Sequence, residues 1–207
     1  MTDKMIEELI GIAKKLKRAG LVSDGVNKGS ISCRYAEDSF LISPSKLSYD
    51  DLSVEQVNIM KLDGSFVRQS APVSRDSYFH LKIYSARPDV NAIIHTHSQN
   101  AVAMCLAGKP LPFITYGMKF HCTGPVDMAP FALPNTETCN ELIIKHLGTK
   151  KAVLLKNHGL ICVENSLKEC YETAEFVESL CGSYLTALMI GEVEEISIEK
   201  ESNYGKV

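Results

Sequence analysis

Asn91-Ala-Ile-Ile-His-Thr-His97 is the stretch on which the reading of the fold turns. A short apolar, β-branched run with no helical spacing reads as a strand, and the two histidines mark where it leaves the core. Residues i and i+2 of a strand share a face, so His95 and His97 project together, at a spacing that suits two ligands of one Zn²⁺. The same pair also suits two exposed or core-satisfied histidines. Outward from this strand, Asp76–Ala86 reads as a helix stopped before Arg87-Pro88. On the other side, Gln99–Leu106 is a short helix closed by Ala107-Gly108.

Farther out, Lys4–Ala19 places Ile6, Leu9, Ile10, Ala13 and Leu16 at helical spacing, and Gly20 ends the run. Ile31–Tyr35 and Phe40–Ser43 predict a hairpin through Ala36-Glu-Asp-Ser39, and Val57–Lys61 and Phe66–Gln69 flank the two-residue turn signal Asp63-Gly64. Glu137–Leu147 is a helix with Asn135 or Thr136 as its cap. Ala152–Lys156 and Leu160–Val163 are strand-like around Asn157-His158-Gly159, and Ser166–Ile190 is a long helix opened by Ser166 and Glu169 at capping-box spacing. Strands and helices mix without a regular βαβ rhythm. The expectation is one α/β domain over residues 1–207, with a central mixed or mostly antiparallel sheet covered by helices on both faces. A polar, acidic tail follows at 192–207.

A chain of 207 residues fits one domain with a sizeable core. The net charge of −3 gives no bulk attraction to nucleic acid or to a membrane surface. No apolar run approaches the roughly 18 residues of a membrane span, and Met1–Ala19 is charged and amphipathic, unlike a signal peptide. Seven cysteines, an odd number without a CxxC pair, predict free thiols and a cytoplasmic location.

His158 lies between two apolar runs, where a polar Asn-His-Gly is costly unless its polar atoms find partners. A metal would be such a partner, and three imidazoles with a fourth position open is a catalytic arrangement. A turn histidine before Gly159 is the plainer reading. Asp76, at a helix start, suits the macrodipole. The loops Lys28-Gly29-Ser30 and Pro44-Ser45-Lys46 carry hydroxyls, backbone donors and lysines that could hold a phosphate.

Taken together these residues resemble the class II aldolase/adducin superfamily. The likeness runs from Leu16 through Tyr204. It rests on Gly29-Ser-Ile-Ser-Cys-Arg34, Leu41-Ile-Ser-Pro-Ser45, Ala92-Ile-Ile-His-Thr-His-Ser98 and Leu154-Leu-Lys-Asn-His-Gly-Leu160. It implies that His95, His97 and His158 hold zinc or another divalent transition metal, and that Asp76 is both metal-proximal and the acid/base. Tyr116 would enter a neighbouring subunit's site, and Tyr204 would act from a mobile C-terminal tail. Gly29, Ser30, Ser45, Lys46, Ser74 and Arg75 would occupy phosphate-loop positions. The implied enzyme is a cyclic homotetramer with sites between subunits, cleaving a small ketose 1-phosphate to dihydroxyacetone phosphate and a short aldehyde.

Three departures bear on this. Gly29-Ser30 stands where the family usually has Gly-Asn, Ser45-Lys46 where it has Thr-Gly, and Ser74-Arg75-Asp76 where it has Ser-Ser-Glu. Aspartate at 76 matches the family's 4-epimerases, but the acid/base aspartate of those enzymes aligns with Phe120, and Tyr116 favours the aldolases. A 4-epimerase or dehydratase on the same scaffold is the nearest alternative. An adducin-like assembly module is the next, and it has no need of three histidines.

Overall fold

The computed structural model describes residues 2–23 and 29–197. Tyr204 and Lys28 lie outside the described residues. The elements are α1 (Thr2–Arg18), β1 (Ser30–Ala36), β2 (Ser39–Ile42), β3 (Asn58–Lys61), β4 (Phe66–Arg68), α2 (Ser77–Ala86), β5 (Ala92–Thr96), α3 (Gln99–Ala107), α4 (Met118–His121), β6 (Asp127–Ala129), α5 (Glu137–Leu147), β7 (Ala152–Leu155), β8 (Gly159–Glu164) and α6 (Leu167–Ile190). The strands form one sheet in the order β4-β3-β2-β1-β5-β8-β7-β6. Every pairing is antiparallel except β6 with β7. The α/β architecture with a mixed, mostly antiparallel sheet is therefore as expected.

Strand β5 is buried along its whole length because both sheet faces are covered. Ile94 belongs to a core shared with α1, α3 and α6, whereas Ile93 belongs to a second core shared with α2 and α5. The period of two sends neighbouring side chains into opposite layers. Each buried isoleucine contributes about 1.5–3 kcal/mol. Helix α1 supplies Ile6, Leu9, Ala13 and Leu16 to the first core, the face its helical spacing predicts. The Ser166 hydroxyl accepts the Glu169 N–H at the start of α6, and that of Thr136 accepts the Cys139 N–H at the start of α5. All seven cysteines are free thiols. Among the described residues no helix is long and apolar enough to cross a membrane.

Two details differ from expectation. The β3–β4 connection is a three-residue loop, not a two-residue turn. The Gly64 N–H reaches the Lys61 carbonyl, the Lys61 N–H reaches Ser65, and Gly64 takes φ 89. That is a type I turn followed by a left-handed bulge residue, which only glycine adopts freely. The helix α4 and strand β6 were also unforeseen, being too short to show a period.

Candidate metal centre

Strand β5 runs between β1 and β8, with His95 opposite Ser30 on one side and Ile161 on the other. The strand ends at Thr96, and His97 lies one residue beyond it. The β7–β8 connection brings His158 back to the same place through Asn157, which takes φ 61. The three rings meet with centroids 4.6 Å (His95–His97), 4.7 Å (His95–His158) and 5.0 Å (His97–His158) apart. One ligand atom from each lies within 4.8 Å of the others, so the trio can share one metal ion.

The tautomer of His95 follows from its neighbour. Its Nδ1 lies 2.9 Å from the Leu160 carbonyl, which can only accept, so Nδ1 carries the hydrogen and Nε2 keeps its lone pair. Nε2 is buried and has no hydrogen-bond partner among the described residues. A buried acceptor without a donor costs about 1–3 kcal/mol, which a bound cation would offset. Burial, opposed by Asp76 and reinforced by His158 and His97, holds the His95 imidazole well below its ordinary pKa. Burial and His97 lower His158 likewise, against the pull of Asp76. Neutral imidazole is the form that binds a metal, so this donor set fits a divalent transition ion.

Close approach is what the local sequence provides. A Cβ on Gly159 would lie 2.3 Å from the Thr96 carbonyl oxygen and 2.8 Å from His97 Cδ2. A Cβ on Gly29 would lie 2.2 Å from the His95 carbonyl oxygen. The end of β5 is thus gripped from both sides by residues without side chains.

Asp76 precedes α2, with its Oδ2 receiving hydrogen bonds from Ser74 Oγ at 3.0 Å and, longer, from Ser30 Oγ at 3.4 Å. Burial would raise its carboxyl, but His95, His80, the Ser74 hydroxyl and His158 together hold it below the usual carboxylate range. It stands outside the 4.8 Å histidine group. It does line the same cavity of about 380 Å³, together with Gly29, Ser45, Lys46, Ser74, Arg75, His97 and His158. Five of the six residues expected at anion-binding positions therefore face one space. Ser30 does not. It is buried in β1, and its hydroxyl is taken up by His80 and Asp76.

Lys46 takes φ 63, the left-handed region, at the place where the family usually has glycine. Neither Lys46 nor Arg75 forms an ion pair among the described residues. Two unneutralised cations on one wall attract an anion. Tyr116 is 50% exposed, stacks edge-on against Phe120 at 5.4 Å, and does not line the cavity within one chain.

Sequence reasoning missed His80, Ser32 and Tyr84, which form a buried polar cluster behind Asp76. The available signal was helical spacing, since Asp76, His80 and Tyr84 recur every four residues. It also missed a side pocket of about 100 Å³ lined by Phe131, Ile143 and Leu155, which shares Pro134 and His158 with the main cavity.

The family model of the class II aldolase and adducin N-terminal domain matches residues 7–185. The chain belongs to this family. The class II aldolase is 31% identical to L-fuculose phosphate aldolase of Escherichia coli O6:H1, over 98% of this chain and 96% of that one. It is 32% identical to 5-deoxy-D-ribulose 1-phosphate aldolase of Bacillus thuringiensis serovar kurstaki, over 100% of this chain and 96% of that one. A solved L-fuculose 1-phosphate aldolase superposes with a TM-score of 0.89 at 28% identity, covering 95% of this chain and 92% of that one. With relatives of this coverage named as aldolases, this family member is a metal-dependent aldehyde-lyase.

Proposed function

We propose that this class II aldolase cleaves a small ketose 1-phosphate, of the L-fuculose 1-phosphate kind, to dihydroxyacetone phosphate and a short aldehyde. The observation that carries the reading is a single cavity with imidazoles at its floor and two unpaired cations on its wall. His95, His97 and His158 would hold Zn²⁺, which when bound supplies a Lewis acid for the sugar's carbonyl.

The chain's own groups then divide the work. Lys46 and Arg75 bind the phosphate, on the wall of the cavity that Gly29, Ser45 and Ser74 also line. In the condensing direction the ionised Asp76 takes a proton from the carbon beside the carbonyl. That carbon then bonds to the aldehyde carbon, and the aldehyde oxygen takes a proton from Tyr116 of a neighbouring copy. Cleavage runs the same steps backwards. The half-exposed Tyr116, outside its own chain's cavity, supports a homotetramer with shared sites. Tyr204 would help to close the site. The apolar side pocket beside His158 suits a methyl-ended aldehyde, in keeping with the relative named for a 5-deoxy sugar. Seven free cysteines accord with the cytoplasm.

Aspartate at 76 also suits a 4-epimerase, but the phenyl ring of Phe120 cannot move a proton where those enzymes use an aspartate. The test is incubation of the zinc-loaded protein with ketose 1-phosphates and free ketoses, reading product identity. Dihydroxyacetone phosphate with a free aldehyde is expected. An epimer, a dehydrated ketone or no turnover would overturn the aldolase reading.

A further inference from the structure

Behind Asp76 lies a hydrogen-bonded line that none of the chemistry above uses. Ser30 and Ser32, two apart on β1, face Asp76, His80 and Tyr84, four apart along α2 and its N-cap. Ser30 Oγ lies 2.8 Å from His80 Nε2, and Ser32 Oγ lies 2.6 Å from His80 Nδ1 and 2.8 Å from the Tyr84 hydroxyl. Ser30, Ser32 and His80 are essentially without solvent exposure, so every hydrogen must find an acceptor within the line.

Two ends fix its direction. The phenol of Tyr84 has Ser32 as its one side-chain partner among the described residues, so its hydrogen goes to Ser32. At the other end the Asp76 carboxylate can only accept. Ser32 therefore gives its hydrogen to His80 Nδ1, His80 donates from Nε2 to Ser30, and Ser30 gives its hydrogen to Asp76 Oδ2. The reverse direction would leave the Tyr84 hydrogen buried without an acceptor and remove a donor from the carboxylate, a loss at both ends. Burial, against the pull of Asp76, lowers His80 to a pKa of about 4. Its ring is then neutral, with one N–H to place.

We propose that His80 is a positioning residue for Asp76: in its Nε2–H tautomer it turns the Ser30 hydroxyl onto Oδ2. Ser30 and Ser74 both hold that oxygen, and no hydrogen bond among the described residues reaches Oδ1, which is left for the cavity. The catalytic half of this proposal rests on Asp76 as the proton-moving carboxylate. The structural half does not.

The test has two arms. Nitrogen NMR of protein labelled at histidine, with His80 assigned through His80→Gln, should show the neutral Nε2–H tautomer at neutral pH. An imidazolium, or an Nδ1–H ring in the unmodified protein, overturns the proposal. In the second arm, Ser30→Ala and His80→Leu should lower kcat roughly 10- to 100-fold, the scale of a misplaced catalytic group. KM and metal content should change little. His80→Gln keeps one donor and one acceptor and should recover part of the turnover; full turnover in Ser30→Ala overturns the proposal. Should His80→Leu fail to fold, the Ser30→Ala and His80→Gln pair decides. Absence of any aldol cleavage by the unmodified protein would remove the aldolase reading instead, and the tautomer measurement needs no turnover.

Discussion

The Cβ that Gly159 lacks would sit 2.3 Å from the carbonyl oxygen of Thr96. No side chain fits there, and the obstruction is backbone, which cannot swing aside. Gly159→Ala should push the β7–β8 turn away from β5 and carry His158 out of the trio. The expected result is a loss of bound metal together with a destabilisation of about 1–3 kcal/mol in urea unfolding. Full metal content in this variant would show that the turn can yield.

His95→Ala should abolish metal binding and activity together, because it removes a fully buried ligand whose orientation is fixed by the Leu160 carbonyl. Treatment of the unmodified protein with a chelator should lower its Tm. A cation present at 100 times its Kd stabilises by about 2.7 kcal/mol. Elemental analysis and thermal melts check both outcomes. Retained metal and turnover in His95→Ala would remove His95 from the centre.

Lys46→Gly separates strain from charge. The left-handed backbone costs an L-residue about 1–2 kcal/mol, and glycine gives back about 0.5–1 kcal/mol of that as chain entropy. Stability should therefore hold or rise slightly. KM for the phosphorylated substrate should rise roughly tenfold, the worth of one charge-assisted hydrogen bond, and inhibition by inorganic phosphate should weaken in parallel. An unchanged KM would take Lys46 out of anion binding.

Tyr116→Phe should lower kcat by about 10²- to 10⁴-fold, the usual contribution of a proton-transferring group. Metal content and Tm should stay as they were, since the ring is half exposed. Loss of metal or of assembly would make the hydroxyl structural.

Acid should destabilise the fold partly through His80. Its folded pKa of about 4 lies below the ordinary 6.5, so the unfolded chain binds the extra proton. The contribution is fully present above pH 6.5 and is lost as pH falls toward 4, amounting to about 3 kcal/mol by linkage. His80→Gln should flatten that limb of the stability curve. An unaltered acid limb in the variant would show that another group governs it.

How much of this could be read from the chain depends on whether the cause was local. The period of two in Ile93-Ile94-His95 and the apolar runs around His158 are local, and both the central strands and the three histidines were legible. The turn at Gly64 was legible as a turn, but its loop length depends on a hydrogen bond between Lys61 and Ser65 that spacing alone does not show. Strand β6 pairs with β7 from only three residues, Asp127 to Ala129, with no alternation to detect. Ser30 illustrates the harder limit. Its neighbours in sequence suggest an anion loop, but its hydroxyl is spoken for by His80, fifty residues away. The side pocket needed Phe131 and Leu155 brought together by the sheet.

The two bare glycines flanking β5 also divide the molecule into parts that can and cannot change. Because Gly29 and Gly159 touch peptide groups, the floor that carries the imidazoles is locked by main-chain contact. A new substrate preference must then be written on the rim, where Lys46 and Arg75 stand in solvent and Phe131 is largely exposed. Variants chosen for altered aldehydes or altered anions should accumulate there, and libraries that leave the floor untouched should yield folded protein most often.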